Sequence, residues 1–482
     1  MGILEGLKPE GVWQYFEELE QIPRGSGNTA AVADWLVDFA RERDYEYSRD
    51  DYGNVVIYGP ASEGYEDSEP VILQGHMDMV PQKTADSDHD FAKDPISLMI
   101  DGDFITADGT TLGGDDGIAV AFMLALLDDD TYAHPPLECV FTTDEEVGLL
   151  GADAFDCSKL KGRRMINMDS EDEGIFTCGC AGGCRVECTL PIKRTSQKGL
   201  PVLLEISGLK GGHSGQLIDK YRANADKLLG RFLYALGADV AFSLVSVAGG
   251  DKDNAIPNAA KAQILIDEED YPLLVTFAEK YNADLISEFK GIDEEISLKT
   301  TKGSVHKVEV MVPESTDKVI FMIMHSPYGV RKMSGQVEGL VETSSNLGIL
   351  RTGEKEFACI SSIRSSVYPA RKALMDEYES LTQMLGGQIR FIGEYPAWEY
   401  NSESPLRDTM VESYKNLFGK DPVVNVIHAG LECGLFYERI PGLDAVSIGP
   451  DLADIHTFNE KLSISSAQRT WDFLLRVLSA LK

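Results

Sequence analysis

Apolar runs alternate with polar turns along the whole chain, and their spacing predicts elements of two kinds. From residue 9 to 44 apolar positions recur at helical intervals in two pieces, broken at IPRGSGN. The second piece, TAAVADWLVDFARER, opens with Asn28 and Thr29 as capping candidates. NVVIYGP (54–60) is a β-branched run closed by Gly-Pro, and PVILQGH (70–76) is a second strand. GIAVAFMLALLDD (117–129) is apolar on every side, which predicts a helix packed all round. PPLECVFTTDEE (135–146) and GRRMINMDSED (162–172) are strands that run into acids. Buried strands alternating with helices predict an α/β layer, whose ligands bind beyond the carboxyl ends of the strands.

Near residue 185 the pattern changes. From VECTLPIKR to IRFIGEYPA, more polar strands alternate with helices. Two halves, roughly 188–290 and 294–395, each hold strands, a helix and another strand, without a convincing internal repeat. After EYPAWEYNSESPL a helix begins, and PVVNVIHAGLECGLF, DAVSIGP and SSAQRTWDFLLRVLSALK resume the α/β style. The expected organisation is therefore a first domain from residues 1–186 and 396–482, interrupted by an inserted α+β domain of residues 187–395. Pro396, Ala397 and Trp398 would form the return hinge.

Composition narrows the partners. The 482 residues are 43% hydrophobic and 26% charged, ample for large cores. The 79 acids against 44 bases leave a net charge of −35, which repels phosphate backbones and anionic membranes. Neither a nucleic acid nor a membrane is expected as a partner, and the charge reads as solubility. GIAVAFMLALL is too short to span a bilayer. The N-terminal MGILEGLKPEG lacks the basic-then-apolar order of a signal peptide, and Gly6 breaks the myristoylation pattern. The eight cysteines read as reduced thiols, and the cytoplasm is the expected compartment. In CGCAGGCRVEC the spacing lacks the C-x2-C pairs of structural zinc sites, so strand packing is the better reading.

The candidate chemistry sits at the strand ends. His76 and Asp78 are two apart, so they point to one face, where a carboxylate could orient an imidazole ligand. Alone, His-x-Asp is more often a surface pair. In DGTTLGGDDGIAVA (108–121) two glycines turn the chain before a helix, and Asp115 and Asp116 stand at its start. One acid suffices to cap a helix, so the second stands out; paired carboxylates and the missing lysine exclude a phosphate loop. Glu145 and Glu146 end the next strand, Asp169 a third, and His456 follows AVSIGP near the C-terminus. Singly, each reads as a solvated acid or turn. Jointly, His76, Asp115, Glu146, Asp169 and His456 make a donor set for two divalent ions. Spacing leaves open which Glu, and which of Asp115 and Asp116, does what.

At these residues the chain resembles the co-catalytic metallopeptidases of the aminoacylase/carboxypeptidase clan. LQGHMDMVPQK, GTTLGGDDGIAVA, TTDEEVGLLGA, MDSEDEG, CGCAGG and IHTFNEKLSI are similar, within that clan, to the aminoacyl-histidine dipeptidase family (peptidase D, the cytosolic non-specific dipeptidases of bacteria). The resemblance covers essentially the whole chain in order. It implies a three-layer α/β zinc-peptidase catalytic domain with the inserted α+β domain as a lid. By motif, His76 and Asp169 would hold one ion, Glu146 and His456 the other, and Asp115 would bridge them. Asp78 would orient His76, and Glu145 would be the general base. The ions would be zinc first, with cobalt or manganese as alternatives.

The resemblance also gives the insert a meaning. His213 in LKGGHSG would polarise the scissile carbonyl or its oxyanion; without the resemblance, a solvated turn is the better reading. Family lids supply such a His from the same or a partner chain, which leaves a homodimer open. Asn254 in DNAIPN is a candidate substrate contact or a turn residue. Arg364 in SIRSSVYPA could clamp a substrate carboxylate or form a surface ion pair. HAGLECG (428–434) resembles the loop that recognises the substrate end, with His428 and Glu432 as candidates; relatives often carry GGTD there, so Glu432 departs from the pattern. The implied activity is hydrolysis of dipeptides with a free amino terminus, Xaa-His such as β-alanyl-histidine included. Alternatives are an N-acyl amino acid deacylase or carboxypeptidase on the same site, and a metal-binding protein without turnover.

Overall fold

The computed structural model describes residues 2–482. They form two compact units. The first comprises the chain through Cys180, then Trp398–Ile427 and Leu431–Lys482; the second comprises Ala181–Ala397 and His428–Gly430.

The first unit is built on an eight-stranded mixed sheet. Its order is Glu46–Arg49, Val55–Gly59, Leu137–Thr142, Val71–His76, Arg164–Asn167, Asp444–Ser447, Ile175–Cys180 and Val423–Ile427. Val71–His76 runs parallel to both neighbours, and all six of its residues are buried, the polar Gln74 and His76 included, as befits a strand inside a parallel stretch of sheet. The helix Gly114–Asp128 is likewise buried around its circumference, with Ile118 to Met123 wholly inaccessible. Phe122 of that helix packs 5.7 Å from Trp471 of the C-terminal helix Ile464–Ala480. A second, four-stranded antiparallel sheet includes Leu452–Ala453 beside Lys461–Ser463, and the loop between those two strands carries His456.

One local expectation fails. Thr29 stands at the N-cap of the helix Ala30–Glu42 but does not cap it with its side chain. Its hydroxyl bonds instead to that of Thr143, 2.5 Å away at the end of a sheet strand. Asn28 does not cap the helix either. A tertiary partner has outcompeted the local one.

The second unit holds a ten-stranded antiparallel sheet and the helices Ala225–Leu236, Tyr271–Glu288, Pro313–His325 and Tyr368–Met384. On the strand Arg194–Ser207, Leu200, Val202, Leu204 and Ile206 join the core with residues of all four helices. Leu203, Glu205 and Ser207 alternate away from it and are half-buried. Leu203 aside, that face is polar, and the register partners Gln263, Lys261, Thr301 and Lys299 on the two neighbouring strands continue it.

The chain leaves the first unit after Cys180 and returns at Trp398. These two residues form an antiparallel bridge and exchange both backbone hydrogen bonds, Cys180 N to Trp398 O at 2.9 Å and Trp398 N to Cys180 O at 3.1 Å. Trp398 is buried. All eight cysteines are buried free thiols. Among the described residues no helix is long and apolar enough to cross a membrane.

Candidate metal centre

The strand Val71–His76 ends by delivering His76 and, two residues on, Asp78, both fully buried. Gly75 makes room for what faces them. A Cβ there would lie 2.5 Å from Asp116 Oδ2 and 2.6 Å from Ala119 Cβ, so only glycine permits this approach. His76 Nδ1 lies 3.4 Å from Asp78 Oδ1 and 3.1 Å from the Asp78 carbonyl. Asp78 is itself held by Ser26, whose hydroxyl donates to Oδ2 at 2.7 Å, and by the Glu145 amide, which donates to Oδ1 at 3.1 Å.

Asp115 and Asp116 precede the regular part of their helix. Gly113 is left-handed at φ 76°, and neither aspartate has helical dihedrals. Glu460 organises this turn from beneath: its Oε2 accepts from Leu112 and Gly113 N at 2.8 and 3.0 Å, and its Oε1 accepts from Asp115 N at 3.2 Å. Arg24, fully buried and paired with Glu20 at 2.6 Å, donates to the Gly113 carbonyl at 2.6 Å. So held, Asp115 turns its two oxygens to two different imidazoles. Oδ1 is 3.1 Å from His76 Nε2, and Oδ2 is 3.1 Å from His456 Nε2.

The remaining acids complete the cluster. Asp169 Oδ1 lies 3.7 Å from His76 Nε2, and Glu146 Oε1 lies 2.9 Å from His456 Nε2. Donor atoms of His76, Asp116 and Asp169 gather within 4.8 Å of one another, as do those of His76, Glu145 and Glu146, and of Asp115, Glu146 and His456. Asp116 is already engaged, since its Oδ2 accepts the His76 amide at 3.2 Å.

Acid crowding governs the protonation. Burial disfavours charge on His76, but Asp115, Asp78 and Asp169 outweigh it and raise its pKa well above the usual value. Hydrogen bonds to Asp115 and Glu146 raise His456 to about 10. Burial, then the carboxylates of Glu432, Glu146 and Asp115, push Glu145 up to about 8 against the pull of His76. Asp169 is raised by burial and by the neighbouring aspartates. Two imidazoles and several carboxylates packed this closely fit divalent cations, because two positive ions would replace the protons that now hold the negative charges together.

Seven of the candidate residues thus converge in the first unit: His76, Asp78, Asp115, Glu145, Glu146, Asp169 and His456. Glu432, read as a substrate contact, has no exposed surface at all. Its Oε2 accepts from Gln74 Nε2 at 2.6 Å and Thr142 Oγ1 at 2.7 Å, both near the strand ends of the sheet. Gln74 Oε1 in turn accepts from Asn167 at 2.6 Å, and Asn167 Oδ1 accepts the Asp169 amide at 3.3 Å. In this structure the carboxyl is closed to solvent and braces strands.

The other four candidates lie in the second unit. His428 Nε2 is 2.7 Å from the Ser344 hydroxyl, and burial, with Arg364 nearby, lowers its pKa to about 3. Arg364, opposite Ser344 in the sheet register, donates to Tyr395 Oη at 3.1 Å. Burial and Arg364 also lower the pKa of His213, whose buried Nδ1 has no partner. The exposed Asn254 joins this group through its carbonyl, which accepts the Ser214 amide at 2.8 Å. Sequence reasoning missed Ser26, Glu460, Arg24 and the Gln74–Asn167 relay. Glu460 stood inside the quoted IHTFNEKL, four residues after His456; the others carry no local signal.

Imidazoles and carboxylates gathered at the carboxyl ends of a mixed α/β sheet define a hydrolytic metal site. The chain belongs to peptidase family M20/M25/M40, whose model matches residues 72–480, and is therefore a hydrolytic enzyme. It is 36% identical over 480 residues to the cytosol non-specific dipeptidase of Escherichia coli K12, covering 99% of both chains. The crystal structure of aminoacylhistidine dipeptidase from Vibrio alginolyticus is 38% identical at TM-score 0.92, covering 99% of this chain and 98% of that one. Aminopeptidase PepT from Bacillus cereus, 14% identical at TM-score 0.55 over 98% and 99% of the two chains, shares the fold. The family resemblance read from the motifs therefore holds.

Proposed function

We propose that the chain is a two-metal dipeptidase, acting on dipeptides with a free amino terminus, Xaa-His among them. His76 and Asp169 would hold one ion, Glu146 and His456 the other, with Asp115 between them; zinc is the first choice, cobalt and manganese the alternatives. The observation that carries this reading is Asp115, with one oxygen 3.1 Å from each of two imidazoles. Full-length likeness to two dipeptidases supports the substrate class. The same likeness, to a relative named for the cytosol, supports a cytoplasmic enzyme.

When bound, such ions polarise the scissile carbonyl and acidify water. The protein residues do the rest. Asp78 fixes the tautomer and tilt of His76. Glu145, raised to about 8 before any cation is near, takes the proton of the attacking water and returns it to the leaving amine. His213 donates to the developing oxyanion, and Arg364, Asn254 and His428 receive the substrate's polar ends.

Glu145→Gln tests the assignment: the variant should keep its ions and lose about 10²–10⁴-fold in kcat. Turnover like the wild type would sink it. A panel pairing β-alanyl-histidine with N-acetyl amino acids separates the readings, because preference for the acylated substrates would make the enzyme a deacylase.

A further inference from the structure

The polar face of the second unit's sheet carries a feature the proposed chemistry does not use. A cavity of about 930 Å³ lies there, lined by Lys210, Lys252, Lys261, Lys299 and Arg351, with only Glu205 and Asp251 to oppose them. In a chain whose acids outnumber its bases 79 to 44, this inverts the overall balance. None of the five cationic side chains forms an ion pair or hydrogen bond among the described residues.

The sheet register explains the arrangement. Glu205 stands opposite Lys261 on one neighbouring strand and Lys299 on the other. The two lysine backbones are therefore two strand spacings apart, about 10 Å. The carboxylate between them approaches neither within ion-pair distance. Glycines form part of the rim: Gly211, Gly212 and Gly250 have φ of 61°, 128° and 62°, a left-handed backbone that side chains disfavour, and it shapes the turns that border the cavity. Gly212 pairs with Ile256, and the next pair is His213 with Ala255, so the rim includes the ribbon that carries His213.

Grouped cations with no partner repel one another, and an anion relieves that repulsion. The acidic remainder of the surface does not cancel the local field, because charges beyond a Debye length of about 8 Å are screened at physiological salt. The volume lies within the ~300–1,000 Å³ range of small-molecule sites. We propose that this cavity binds a small polyanion bearing two or more phosphate or carboxylate groups. His428 and Arg364 are not among its lining residues.

Calorimetric titration of the whole protein with pyrophosphate and with citrate, at physiological ionic strength, tests this. The variants are Lys261→Glu with Lys299→Glu, and a control of equal charge change outside the cavity, Lys193→Glu with Lys280→Glu. Wild type and control should bind saturably at one site. The cavity variant should bind more than about tenfold more weakly, as two reversed charges require. Pyrophosphate alone would assign a phosphate ligand, and citrate alone a polycarboxylate. Should the double variant fail to fold, Lys261→Ala and Lys299→Ala must each weaken binding. Absence of saturable binding to the wild type, or equal weakening in the control, overturns the proposal. Binding is read directly, so the outcome stands apart from whether dipeptides are the substrate.

Discussion

Asp115 is the residue on which the site turns, and protons occupy its neighbourhood when ions do not. His456, raised to about 10, is charged throughout the neutral range in the ion-free protein. A ligating imidazole must be neutral, so if His456 holds an ion as proposed, ion binding has to expel that proton. Apparent ion affinity should therefore fall as pH drops below about 10, and the binding heat should depend on the buffer that takes up the proton. Buffer-independent heat would refute this. Stability has its own sign. A raised imidazole stabilises the ion-free fold fully below the unfolded value of about 6.5 and loses that contribution as pH rises through about 10. Glu145 acts in the same direction over a lower window, since its folded pKa is also the higher one and ionisation is resisted in the fold: its contribution falls from about pH 4.5 and levels off above about 8. Gly75 makes a steric prediction at the same scale. Gly75→Ala must displace Asp116 or Ala119 and should cost about 1–3 kcal/mol, read as a lower melting temperature.

At the level of elements, the central network ties three strands and one helix together. Glu432 at the start of the helix Glu432–Arg439 accepts from Gln74 and Thr142, and Gln74 passes the connection to Asn167. Glu432→Ala would take the best acceptor from two buried donors, and about 1–3 kcal/mol of stability should go with it in denaturant unfolding. Glu432→Gln keeps an acceptor and should lose less; equal losses would show that the hydrogen bonds do not matter. This layer also marks how far sequence reading reached. His76, Glu145, Glu146 and Asp169 follow apolar runs, so periodicity alone put them at strand ends. Gln74 and Thr142 lie inside such runs, where they read as interruptions, because their partner is 358 and 290 residues away in sequence. Thr29 misled for the same reason: a capping residue is legible locally, but its bond to Thr143 is not.

For the whole molecule, the alternation of buried strands and helices was enough to establish the α/β character of the first unit. The mixed order of its sheet was not legible, since register and strand order depend on contacts between distant segments. Nor did any pattern mark His428–Gly430, which the sequence places amid α/β elements and the structure groups with the second unit. Ion removal is the test at this scale. Ions that bind only the folded chain stabilise it by about 4 kcal/mol at a thousandfold excess over Kd. A chelator should therefore lower the melting temperature as well as abolish hydrolysis, and re-added zinc should restore both. Hydrolysis that survives exhaustive chelation would end the two-metal reading.

The Cys180–Trp398 bridge has a consequence in the statistics of the unfolded polymer. The insert leaves and re-enters the first unit at a single hydrogen-bonded pair, so to that unit it is a loop with joined ends. The entropy of closing a loop grows only with the logarithm of its length, by about 0.6 kcal/mol for each doubling. A long insert is then scarcely more costly to the host sheet than a short one. Its size could change over time without the strands on either side having to re-pair.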